Sequence, residues 1–103
     1  MREILFEVKT PLDKIIRTTK EYWNYLIDIK HPSMKDREDE VVKTLSDPDM
    51  IRKSKIDESI FLYYKKIENY LYCIVARHEN GTGFMITAYK TDKIKEGDTI
   101  WTK

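Results

Sequence analysis

The rhythm of hydrophobic and polar residues changes near residue 50. Before it, apolar positions recur mostly at helical intervals; after it they alternate. The opening stretch Ile4-Leu5-Phe6-Glu7-Val8 alternates and predicts a first strand. Thr18 and Thr19 are helix-capping residue types. The segment 20–30 that follows puts Tyr22, Leu26 and Ile29 on one helical stripe. Pro32 stops that helix near Lys30. A second helix is expected over 35–45, with Val41, Val42 and Leu45 on one stripe. Its acidic start, 36–40, suits the positive end of the helix dipole. Strands are expected at 50–55, 60–67, 70–78 and 84–89. The turn at 68–69 is tight enough for a hairpin, and Asn80-Gly81 offers a positive-φ site in the next turn. The expected fold is therefore α+β: two N-terminal helices packed on one face of a four- to five-stranded, mainly antiparallel sheet.

The chain has 103 residues, which suits one domain over 1–103. Lysine plus arginine (19) nearly cancel aspartate plus glutamate (18), leaving a net charge of +1. That balance argues against a protein that holds nucleic acid by bulk charge, while leaving room for a local basic patch. No apolar run has transmembrane length and no signal segment is expected, so no membrane partner is expected either. The single Cys73 sits in an apolar strand pattern and reads as a small core residue. One cysteine gives no internal disulfide, so a cytoplasmic location is the default.

Three stretches carry a resemblance. They are the His31-Pro32 stop after the first helix, the Asp47-Pro48-Asp49 stop after the second with the basic strand behind it, and the series Tyr63-Tyr64-Lys65 to Ile86-Thr87-Ala88-Tyr89. In order and spacing, over about residues 20–101, they resemble the PBECR type of phage-associated barnase–EndoU–colicin–RelE-like nuclease. The resemblance implies a compact BECR or RelE-like α+β fold and metal-independent cleavage of RNA, as in a toxin or phage-related enzyme. It implies no cofactor and no metal, RNA as partner, and a protein antitoxin or inhibitor as a second partner.

Metal-free RNA cleavage uses the substrate's own 2′-hydroxyl as nucleophile. It needs groups to take and return a proton, and cations beside the phosphate. His31 titrates near neutrality and is the candidate for proton transfer; its plain structural role would be to sit at a helix end. Arg52 and Lys53 are adjacent on a strand and point to opposite faces, so only one can line a given groove. Arg52, planar and bidentate, is the better phosphate clamp, with Lys53 assigned to substrate binding. Charge guarding a sheet edge is the alternative for either. In the next strand Tyr63 and Lys65 share one face, Tyr64 and Lys66 the other. Tyr63 is assigned to substrate binding and Lys65 to phosphate charge, although tyrosines also border cores with wet hydroxyls. In the last strand, alternation places Phe84, Ile86 and Ala88 toward the helices. Thr87 and Tyr89 then face the less buried side, beside Tyr63 and Lys65 or beside Arg52. Thr87 is assigned to the catalytic set and Tyr89 to substrate binding. His78 reads as an exposed loop residue. A non-catalytic module that binds RNA or a partner protein through the open sheet face is the rival reading, favoured by the near-neutral charge.

Overall fold

The computed structural model describes residues 3–80, 82–95 and 97–103. Two strands come before any helix. β1 (Ile4–Lys9) turns back into β2 (Ile15–Thr19). Asp13 makes the turn at φ 61°, and the Thr10 N–H donates to the Lys14 carbonyl at 2.9 Å. Thr19 ends β2 and caps α1 (Lys20–Tyr25), its hydroxyl accepting from the Tyr22 N–H at 3.1 Å. The helix runs on as a π-turn over Leu26–Lys30, and Pro32–Met34 adds one 3-10 turn. α2 (Glu38–Ser46) starts with Glu38, Asp39 and Glu40 in its first turn. Five strands follow: β3 (Met50–Ser54), β4 (Ile60–Ile67), β5 (Tyr70–Glu79), β6 (Thr82–Thr91) and β7 (Gly97–Thr102).

All seven strands form one sheet in the order β1-β2-β6-β5-β4-β3-β7. The β2–β6 pair is parallel and the others are antiparallel. This corrects the expectation of two N-terminal helices on a four- to five-stranded, mainly antiparallel sheet. The sheet is larger and mixed, and its helices are short. Two strands account for the difference. Ile15-Ile16-Arg17-Thr18-Thr19 is a β-branched run that pairs before it caps, and 97–102 pairs with β3 instead of trailing off as a turn.

One side of the sheet packs on the helices. Ile51, Tyr63, Ile74, Ala76, Met85 and Ala88 meet Trp23, Leu26, Met34, Val41 and Leu45 there, all buried. On the other side Leu62, Tyr64 and Cys73 form a second, smaller core with Met50, Val75 and Tyr89 against it. The chain covers this side itself. Between β6 and β7 it leaves Thr91 and crosses the sheet, and the Lys95 N–H donates to the Tyr64 hydroxyl at 3.1 Å. β7 lies four places from β6 in the sheet order, about 19 Å if the sheet were flat. The ends are also offset along the strands, since Thr91 is level with Leu71 while Asp98, next to Gly97, is level with Ala76 through Lys53 and Phe61. The flat-sheet span is then about 27 Å and six residue steps reach about 20 Å, so the crossing exists only because the sheet is rolled.

β6 departs from strict alternation. Val75 pairs with Thr87 but Ala76 pairs with Met85, leaving Ile86 as an extra residue. The bulge turns Met85 inward (1% exposed) and Phe84 outward (43% exposed). The expected set Phe84, Ile86, Ala88 is thereby broken: of the three only Ala88 is fully buried. The Ile86 carbonyl accepts a hydrogen bond from the Tyr22 hydroxyl, tying the bulge to α1. Of the Asn80-Gly81 turn, Gly81 lies outside the described residues. No helix among the described residues is long and apolar enough to cross a membrane.

Candidate functional site

The register sorts the sequence-predicted residues onto the two sides of the sheet. Thr87, Val75, Leu62, Arg52 and Thr99 form one cross-strand row on the side away from the helices, and Tyr89, Cys73, Tyr64 and Met50 form the next. Thr87, Tyr89 and Arg52 therefore share a side. Tyr63, Lys65 and Lys53 have the opposite parity and lie on the other.

His31 joins the first group from outside the sheet. β2 pairs with β6 only as far as Phe84, so the rest of that β6 edge is free for the turn around His31. The imidazole lies 5.4 Å from the Tyr89 ring, and the Lys95 ammonium lies 5.3 Å from the same ring. Partial burial, then the charges of Lys30 and Lys95, lowers the His31 pKa below its ordinary value. The neutral imidazole, able to accept a proton, is the form held at neutral pH. Burial raises the Tyr89 pKa, with the Cys73 thiol beside its hydroxyl as a weak hydrogen-bonding neighbour. The hydroxyls of Tyr89 and Thr87 are buried with no oxygen or nitrogen partner among the described residues. Burial also pushes Tyr64 up to about 12 and raises the Cys73 thiol, so neither ionises near neutrality.

The other assignments meet structural duties. Arg52 donates to the Thr99 hydroxyl at 2.7 Å and to the Gly97 carbonyl at 2.6 Å, fastening β7 to β3. Lys65 donates to the Asp47 carbonyl at 2.8 Å and to the Asp47 carboxylate at 3.3 Å, with Asp49 at 3.6 Å. It secures the exit of α2 and is not turned toward His31. Tyr63 is fully buried; its hydroxyl meets Thr10 Oγ1 at 3.2 Å and His78 Nε2 at 2.8 Å. Its substrate-binding role is corrected to a core role. Lys53 pairs with Phe61 and Asp98 across the strands, on the opposite face from Arg52.

His78 is the second correction. It is 9% exposed, stacked on Phe61 at 3.9 Å between ring centres. Burial, and then the charge of Lys14, lowers its pKa to about 4. The signal was present in the sequence: His78 continues the parity of Tyr72, Ile74 and Ala76.

Sequence reasoning passed over a third cross-strand row. Arg17 pairs with Phe84, and Phe84 pairs with Arg77. Arg17 is exposed and makes no hydrogen bond or ion pair with any described residue. Arg77 donates to the Ser59 hydroxyl at 2.6 Å and lies 3.5 Å from the Asp57 carboxylate. Gly83 lets both neighbours come this close: a Cβ there would stand 2.2 Å from the Arg77 carbonyl oxygen of β5 and 2.9 Å from Ile16 Cδ1 of β2. Beyond Phe84, β2 and β6 part and an open cleft of about 560 Å³ begins. A second groove of about 330 Å³ has Leu62 and Val75 as its floor and Lys55 and Lys95 at its sides. No group of three His, Cys, Asp or Glu residues suited to a metal occurs among the described residues. Compared with known proteins, the chain matches no family model, no curated protein and no solved structure.

Proposed function

We propose that the protein binds single-stranded RNA across the helix-free side of its sheet. The observation that supports this reading is the Arg17–Phe84–Arg77 row. It sets an exposed aromatic ring between two guanidinium groups, in register, on three adjacent strands. A base stacks on such a ring and the Arg17 guanidinium meets the adjacent phosphate, while Arg77, held by Ser59 and Asp57, flanks the ring. Lys95 and Lys55 extend the basic path toward the second groove. Local charge of this kind is compatible with a net charge of +1. The lone buried thiol of Cys73 fits a reducing cytoplasm.

A second reading keeps the activity that the PBECR resemblance implies. His31, in its proton-accepting form, sits with Tyr89 and Lys95 on that same side. A 2′-hydroxyl presented to His31 would lose its proton there, with Lys95 facing the phosphate. One titration separates the two. Labelled single-stranded RNA is mixed with the protein in chelator, followed by anisotropy and then by gel. Binding that weakens in Arg17→Ala and Phe84→Ala, with RNA of unchanged length, is the expected result. Shortened RNA that stays intact with His31→Ala would make the second reading the right one. No change in anisotropy at any protein concentration in low salt would end the binding proposal.

A further inference from the structure

The cleft beside the arginine row has features of its own. It opens where β2 leaves β6, and Thr18, Thr19 and Tyr22 form one wall. Phe84 and Ile86 line it from β6, and Arg17 and Arg77 line it as well. Its volume of about 560 Å³ falls in the range of small-molecule sites. The walls are fixed. Thr19 is bound to the first turn of α1, and the Tyr22 hydroxyl is bound to the bulge carbonyl of Ile86. One polar group is left over. Thr18 is only 4% exposed, and its hydroxyl has no hydrogen-bond partner among the described residues. A buried hydroxyl without a partner costs free energy unless a ligand or a water supplies one.

We infer that this cleft is a subsite for one nucleoside monophosphate unit, free or at the end of an RNA strand. The planar base lies on Phe84, whose ring is 43% exposed at the entrance. The phosphate pairs with the unoccupied guanidinium of Arg17, which offers a planar fork to two phosphate oxygens. The aromatic and the cation are neighbours in register, so a single nucleotide engages both without unfolding anything. The inference deepens the RNA-binding reading and rests on it for the source of the ligand.

The test is an amide-resolved NMR titration of the whole protein with three small probes: adenosine 5′-monophosphate, adenosine and inorganic phosphate. An oligoadenylate is the fourth probe. Shifts at Thr18, Thr19, Phe84 and Ile86 are expected with the monophosphate, and weaker ones with either fragment. Arg17→Gln should weaken the monophosphate by about tenfold. Phe84→Leu should weaken adenosine and the monophosphate together but leave inorganic phosphate unchanged. Lys43→Gln on α2 serves as the control and should change nothing. Oligoadenylate binding without any monophosphate shift at the cleft overturns the subsite and leaves the RNA reading standing. Monophosphate shifts at the cleft without oligoadenylate binding uphold the subsite and remove RNA as the source. Equal response to inorganic phosphate and the monophosphate overturns the nucleotide assignment.

Discussion

His31 and Lys95 both lie against the ring of Tyr89, at 5.4 Å and 5.3 Å from its centre. The aromatic ring tolerates one cation well. Protonating His31 brings a second cation to the same place, with Lys30 next to it. Partial burial first, and then these charges, disfavour the imidazolium, which is the direction of the His31 shift. In the Lys95→Met variant the His31 pKa should move back up toward 6.5, as read from the imidazole carbon-bound proton shifts against pH. An unchanged or lower value would mean that Lys95 does not act on His31.

His78 should govern acid sensitivity. Its pKa is about 4 when folded and 6.5 as an ordinary histidine. Above pH 6.5 both folded and unfolded chains carry it neutral, so it adds no pH dependence. Between 6.5 and about 4 the unfolded chain binds a proton that the folded chain refuses, and stability falls as pH falls. The full effect is roughly 3 kcal/mol. Urea melts of the parent protein and of His78→Phe from pH 7.5 to 4 should diverge in slope across that window. Parallel curves would contradict the burial argument.

Tyr63→Phe and Lys65→Ala separate stability from binding. Removing the Tyr63 hydroxyl deprives buried His78 Nε2 and Thr10 Oγ1 of a partner, at a cost of about 1–3 kcal/mol. Lys65→Ala leaves Asp47 with Lys103 and Asp49 with the Lys66 N–H, both partly in solvent, and should cost less than Tyr63→Phe. Neither side chain reaches the Arg17–Phe84–Arg77 row. RNA affinity measured well below the melting temperature should match the parent in both, and a large loss in either would place the RNA on the helix side.

Salt dependence should identify which cations meet phosphate. Each phosphate contact contributes about 0.7 to the slope of log affinity against log salt for single strands. Arg17→Ala should lower the slope by about that much. Arg52→Ala should leave it alone, because Thr99 and Gly97 already occupy its guanidinium. A larger change for Arg52 than for Arg17 would reverse the assignment.

The hairpin of β4 and β5 was legible because its alternation is long and its turn is two residues. β2 was hidden by its own chemistry: the Thr18-Thr19 pair that starts a helix also ends a strand. β7 was hidden by the charged residues before it and by its lack of an apolar alternation. Parity predicted that Arg52 and Lys53 would part, and they do. Parity failed at Phe84 because nothing in Phe84-Met85-Ile86-Thr87 marks a bulge; Ile86 is an ordinary strand residue by composition. The meeting of His31 with Tyr89 depends on β2 leaving the β6 edge early, which is a property of topology and leaves no local trace. Lys95 reaches Tyr89 for the same kind of reason.

The segment after Thr91 works as a ruler laid across four strand spacings. Its length and the roll of the sheet are one variable. A residue removed there must be recovered either by rolling the β7 edge closer to β6 or by peeling β7 from Arg52. A residue added lifts Lys95 away from Tyr64 and Tyr89 and loosens the cover over the smaller core, while the helix-side core keeps its packing. Among divergent copies of this chain, length change at this crossing is therefore asymmetric: growth is tolerated, and shortening is selected against.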